Sequence, residues 1–73
     1  MSEKELMKLD MLKSLAALLL EQDDSLSMEN ALSIVFNSDT YQRLMNEKTQ
    51  LYYQSPRYVF SFLEQELKTG KIS

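Results

Sequence analysis

Apolar residues in the first third of the chain recur at three- and four-residue spacing: Leu6, Leu9, Leu12, Leu15, Ala16 and Leu19. That is the period of one helix face. It predicts a helix over residues 3 to 21, with Glu3 and Glu5 at its positive end. Met7 and Met11 sit beside the leucines and widen the face. Further on, the pattern closes on itself. Residues 15 to 20 read "LAALLL", apolar on every side. A helix that is apolar all round is buried all round. At about 100° per residue, Ala17 falls opposite Leu15 and Leu19, while Leu18 and Leu20 fall to their flanks. Three other short helices offer little to surround this segment. It therefore predicts a second chain lying against it, with Ala17 small enough to let two backbones approach.

A polar connector, "QDDSLS", follows. Ser27 fits the N-cap of a second helix with Glu29 in its first turn, and Leu26 is placed to staple onto Ala31. The inner face of that helix is expected to be Ala31, Leu32, Val35 and Phe36. Asn37 can close it in a left-handed conformation, and Ser38 can cap the next helix at once. The third helix starts near Asp39, with Tyr41, Leu44 and Met45 facing inward. The spacing Tyr41, Leu44, Met45, Lys48, Tyr52 allows it to run on to residue 53. "NEKT" favours a break at residues 46 to 49 instead, then a single turn over 51 to 53. The fourth helix has the clearest start. Ser55 is a good cap, and Pro56 sits at the first helical position, where its missing N–H is harmless. Val59, Phe60, Phe62, Leu63 and Leu67 give its inner face. Gly70 is expected to end it, leaving a frayed tail.

One glycine and one proline in 73 residues leave little turn chemistry for strands. The expectation is a single all-α domain over residues 1 to 73, a small three- to four-helix bundle, dimeric. A chain this short buries only about 60% of its unfolded surface, so self-association is a natural support. It has no cysteine and no histidine. That removes disulfides, thiolate metal sites and an imidazole base. No run approaches the roughly 18 apolar residues of a membrane span. The acidic N-terminus has no signal-peptide core. The expected setting is cytoplasmic.

Candidate chemistry is sparse. Asp23 and Asp24 are the one adjacent acidic pair, and they sit in a connector where solvation explains them. Glu64 and Glu66 point about 200° apart on a helix. Ser38, Ser55 and Ser61 have no histidine to activate them. No glycine-rich loop is available to cradle phosphate. No catalytic, metal or cofactor site is expected. Eight basic residues against eleven acidic ones, net −3, argue against nucleic acid. Even so, residues 29 to 48 read as helix, short turn, helix, with Thr40, Gln42, Arg43 and Lys48 as conceivable DNA contacts. That pattern is commonplace in all-α proteins.

What remains is a surface. "QLYYQSPRYVF" carries Tyr52, Tyr53, Tyr58 and Phe60, four of the chain's seven aromatic residues. Such rings pack around a corner in most small bundles, and tyrosine is also enriched at interfaces. The candidate interface residues are Leu18, Leu20, Met7, Met11, Tyr52, Tyr53 and Tyr58. The partner is expected to be another copy of the chain or another protein.

Residues 31 to 67 carry Ala31-Leu32, Phe36-Asn37-Ser38, Tyr41 and Leu44, residues 49 to 52, Ser55 and Tyr58, and residues 63 to 67 ("LEQEL"). In these motifs the chain resembles a loose group of small bacterial proteins of unknown function. Proteins of that group look like components of small operons that resemble toxin–antitoxin modules. The resemblance implies an antitoxin-like or accessory interaction protein. Its motifs are caps and core positions, so no functional residue is carried over.

Overall fold

The computed structural model describes residues 2 to 69. The described chain is all-α. Helix α1 spans Glu3–Gln22, α2 Met28–Phe36, α3 Asp39–Met45 and α4 Pro56–Thr69. Two single 3-10 turns, Glu47–Thr49 and Leu51–Tyr53, join α3 to α4. The break after Met45 and the turn over residues 51 to 53 both lie where the sequence favours them. Gly70 and the tail beyond it lie outside the described residues.

All four helices begin on a serine whose hydroxyl accepts from the N–H three residues on. The pairs are Ser2 with Glu5, Ser27 with Asn30, Ser38 with Tyr41, and Ser55 with Tyr58, at 3.0–3.2 Å. Each bond satisfies one of the donors a helix start leaves free. Ser55→Ala is therefore expected to cost roughly 0.5–2 kcal/mol. A urea melt reads this directly, and an unshifted midpoint would remove Ser55 from the account of α4.

Helix ends depart more from expectation. Asn37 is not left-handed; its φ is −92° and its ψ is 7°. Its side-chain amide instead donates to the Ser33 carbonyl at 2.8 Å. Ser38 opens α3 immediately, so there is no room for a reversal. The left-handed residue is Gln50, with φ 52°, between the two 3-10 turns. It is held from both sides. The Thr49 hydroxyl lies 2.6 Å from the Arg43 carbonyl, and Leu51 and Tyr52 beyond it are anchored in the core.

The core joins Met11, Leu12, Leu15, Ala16 and Leu19 of α1 to Ala31 and Val35 of α2, Leu44 of α3, Leu51 and Tyr52 of the second turn, and Val59, Phe60 and Leu63 of α4. This revises the reading of residues 15 to 20. The monomer itself buries Leu15, Ala16 and Leu19, and half-buries Leu18 and Leu20 against the core. Ala17 alone of the six is exposed. The radius of gyration, 11.6 Å, is close to the roughly 11 Å of a fully compact chain this long. The run does not by itself require a second chain.

Several residues expected inside are outside. At 1.5 Å per residue, α1 is about 30 Å long, whereas α2 and α3 are about 14 and 10 Å. Helices that short cannot cover all of α1, and Leu6 and Leu9 stay exposed near its start. Phe36 is 46% exposed and packs edge-on against Tyr41, with ring centroids 5.2 Å apart. Leu67 is exposed because no described element packs over the last turn of α4, where residues 67 to 69 are all exposed among the described residues.

Polar residues take inner positions too, among them the cap Ser38. Thr40 is fully buried, and Glu66 nearly so. The Glu66 carboxylate reaches from α4 to the start of α3. One oxygen accepts from the Asp39 N–H at 2.7 Å, and the other from the Thr40 N–H and hydroxyl, each at 2.9 Å. A negative group at a helix N-terminus meets both the free donors and the favourable end of the dipole.

Candidate functional site

A concavity follows the flank of α1 where the Ser55-Pro56 corner crosses it. Its wider part, about 470 Å³, is lined by Ser14, Ala17, Leu18, Ser55, Pro56 and Arg57. A second part, about 210 Å³, is lined by Met7, Asp10, Met11, Ser14, Tyr52, Gln54 and Pro56. The two meet at Ser14 and Pro56, which line both. Together they form one shallow groove. Its floor along α1 follows i, i+3, i+4 spacing through residues 7, 10, 14 and 17, as one helix face must.

The corner exists because Ser55 caps α4 and Pro56 opens it. The residue before a proline is kept from helical backbone, so the chain must bend there. That bend carries Pro56 and Arg57 past the α1 flank. The small residues Ser14 and Ala17 leave the hollow beneath them.

Charge is placed at the two ends. Asp10 lies at the Met7 end and Arg57 at the Leu18 end. Both residues are exposed. Among the described residues neither side chain has an ion-pair or hydrogen-bond partner. Lys8, by contrast, is engaged on another side of α1. Its ammonium is 3.8 Å from Glu47 and 5.4 Å from the centre of the Tyr52 ring.

Four of the seven candidate interface residues meet in this groove: Met7, Met11, Leu18 and Tyr52. Met11 and Tyr52 are core residues, 4% and 5% exposed, so they form its base and offer little free surface. Leu20 is half-buried and lies outside the groove. Tyr53 and Tyr58 are exposed and line neither part of it. Tyr53 packs on Tyr52, with centroids 4.6 Å apart, and Tyr58 packs edge-on to Phe62 at 5.2 Å. Asp10, Ser14 and Arg57 are not among the interface residues the sequence singles out, and Ala17 figures there only as a small residue that lets two backbones approach. The face on residues 7, 10, 14 and 17 is visible in the sequence, but its juxtaposition with Arg57 is a tertiary fact.

Other candidates fall into plainer roles. Asp23 closes a local turn, accepting from the Ser25 hydroxyl at 2.5 Å and its N–H at 3.0 Å. Those bonds, the hydroxyl first, hold its carboxyl below the usual aspartate range. Among the described residues no three acidic side chains gather as a metal site would need. Nor is any helix among them long and apolar enough to cross a membrane. Of the conceivable DNA contacts, Thr40 is turned inward onto Glu66, Gln42 and Arg43 are exposed on α3, and Lys48 is exposed on the first 3-10 turn. No protein-family model matches the chain, and no curated protein or solved structure is significantly similar to it.

Proposed function

We propose that this chain is a non-enzymatic protein–protein interaction module, an antitoxin-like or accessory partner in a small bacterial operon, acting in the cytoplasm. The observation that carries this reading is the groove: an apolar hollow on α1, the exposed Tyr53 packed on Tyr52 of its base, and a charge at each end without a partner among the described residues. Apolar centres with aromatic and arginine neighbours are what protein interfaces select. The absence of histidine and cysteine from the chain and the solvated, turn-closing role of Asp23 favour binding over catalysis. The alternative, a helix-turn-helix regulator, would present the first residues of α3 to DNA. Here that end is taken up by the Glu66 carboxylate, which sets a negative charge where DNA would have to approach.

Co-expression of the tagged chain with the product of the adjacent gene tests the reading. A stoichiometric complex is expected, lost on Leu18→Lys while the helical circular dichroism is kept. A chain that ignores its neighbours and is retained on duplex DNA at low salt would overturn it.

A further inference from the structure

We propose that the occupant of the groove is a second copy of the same chain, docked about a two-fold axis near Ser14. The inference rests on the groove being a protein-binding surface, and it names the partner.

A two-fold contact must be self-complementary: what stands at one end of the surface must attract what stands at the other. The groove meets that condition. Ser14 and Pro56 mark its middle. Asp10 lies four residues before Ser14, and Leu18 four residues after it, beside Arg57. Rotation about the middle sets each copy's Asp10 opposite the other's Arg57. Two equivalent ion pairs form, and both use groups that have no ion-pair or hydrogen-bond partner among the described residues of the single chain.

The apolar residues obey the same symmetry. Met7 of one copy comes to the end holding Leu18 and Ala17 of the other. Methionine suits that role because its unbranched side chain adapts to the shape it meets. Ser14 and Ala17 let the two α1 helices approach antiparallel. An unrelated partner could also match the acidic and basic ends. Only a second copy is bound to match them with its own.

Within one chain, Asp10 and Arg57 form no ion pair with each other. The pairing across the axis can be tested by sedimentation equilibrium on the 8.5 kDa chain. The wild type is expected to be dimeric at tens of micromolar. Asp10→Lys sets two cations at each contact, and Arg57→Glu sets two anions. Each variant alone is expected to weaken association by roughly tenfold or more. Mixed in equal amounts, the two variants are expected to form a heterodimer, because each altered residue then meets its opposite. Both substitutions are at exposed sites, and an unchanged helical circular dichroism spectrum would show that each variant folds.

A monomeric wild type would overturn this inference and leave the interaction-module reading standing for a different partner. A dimer indifferent to both substitutions, or single variants that stay apart when mixed, would overturn the geometry. A dimer that behaves as described while no neighbouring product binds would overturn the operon-partner reading and leave this one intact.

Discussion

Glu66→Ala is expected to be among the most damaging substitutions in the chain, although it removes no apolar surface from the core. The carboxylate accepts three hydrogen bonds, two from backbone N–H groups and one from the Thr40 hydroxyl. Hydrogen bonds to a charged group are worth roughly 1.5–3 kcal/mol, and donors left buried without a partner carry a further cost. Thr40 is fully enclosed, so water cannot readily replace the lost acceptor. The bond also joins residues about 26 apart in sequence. Losing it frees the start of α3 and the last turns of α4 together. Glu66→Gln should fall between the wild type and alanine. Its one amide oxygen can serve Thr40, but its NH2 group would then face the Asp39 N–H, donor against donor. Thr40→Val, which deletes only the hydroxyl, should cost less than either. Urea midpoints for the three variants give the ranking. A Glu66→Ala midpoint equal to the wild type would show that the cap contributes nothing.

The same pair marks where sequence reading stops. Local chemistry was legible. Ser27, Ser38, Ser55 and Pro56 announce helix starts because a cap is a contact over three residues. The stop after Met45 is equally local. Glu66 was not legible, because nothing near it in the chain says that a carboxylate turns inward. A faint signal exists: residues 59, 63 and 66 share the inner stripe of α4, and an acid at such a position needs a partner. Finding Thr40 as that partner requires the fold. Leu6, Leu9 and Leu67 failed for a different reason. Periodicity tells which face of a helix is apolar, but not how far its neighbours extend along it. The groove combines both cases. Its α1 face is visible as a spacing, whereas Arg57 joins it only because the Ser55-Pro56 corner folds back.

Leu15→Ala should cost roughly 2–5 kcal/mol, the range for emptying a fully enclosed leucine site. Leu18→Ala, three residues on in the same run, should cost well under half as much in the monomer. The sequence treats these leucines alike, and the fold does not. Leu15 has no exposed surface, while Leu18 is half-buried and lines the groove. Small domains rarely hold more than about 3–5 kcal/mol. Leu15→Ala is therefore expected to leave a detectable unfolded fraction without denaturant, seen as lost helical signal at room temperature. Working at a protein concentration low enough to keep the chain single confines the comparison to the monomer. At higher concentration, Leu18→Ala should acquire a second effect that Leu15→Ala lacks. It would weaken association directly, because its lost surface lies on the groove and not beneath it. Equal midpoints for the two variants at low concentration would mean that the run is not oriented by the monomer's core. A second chain would then be needed to explain why six consecutive residues of α1 are apolar.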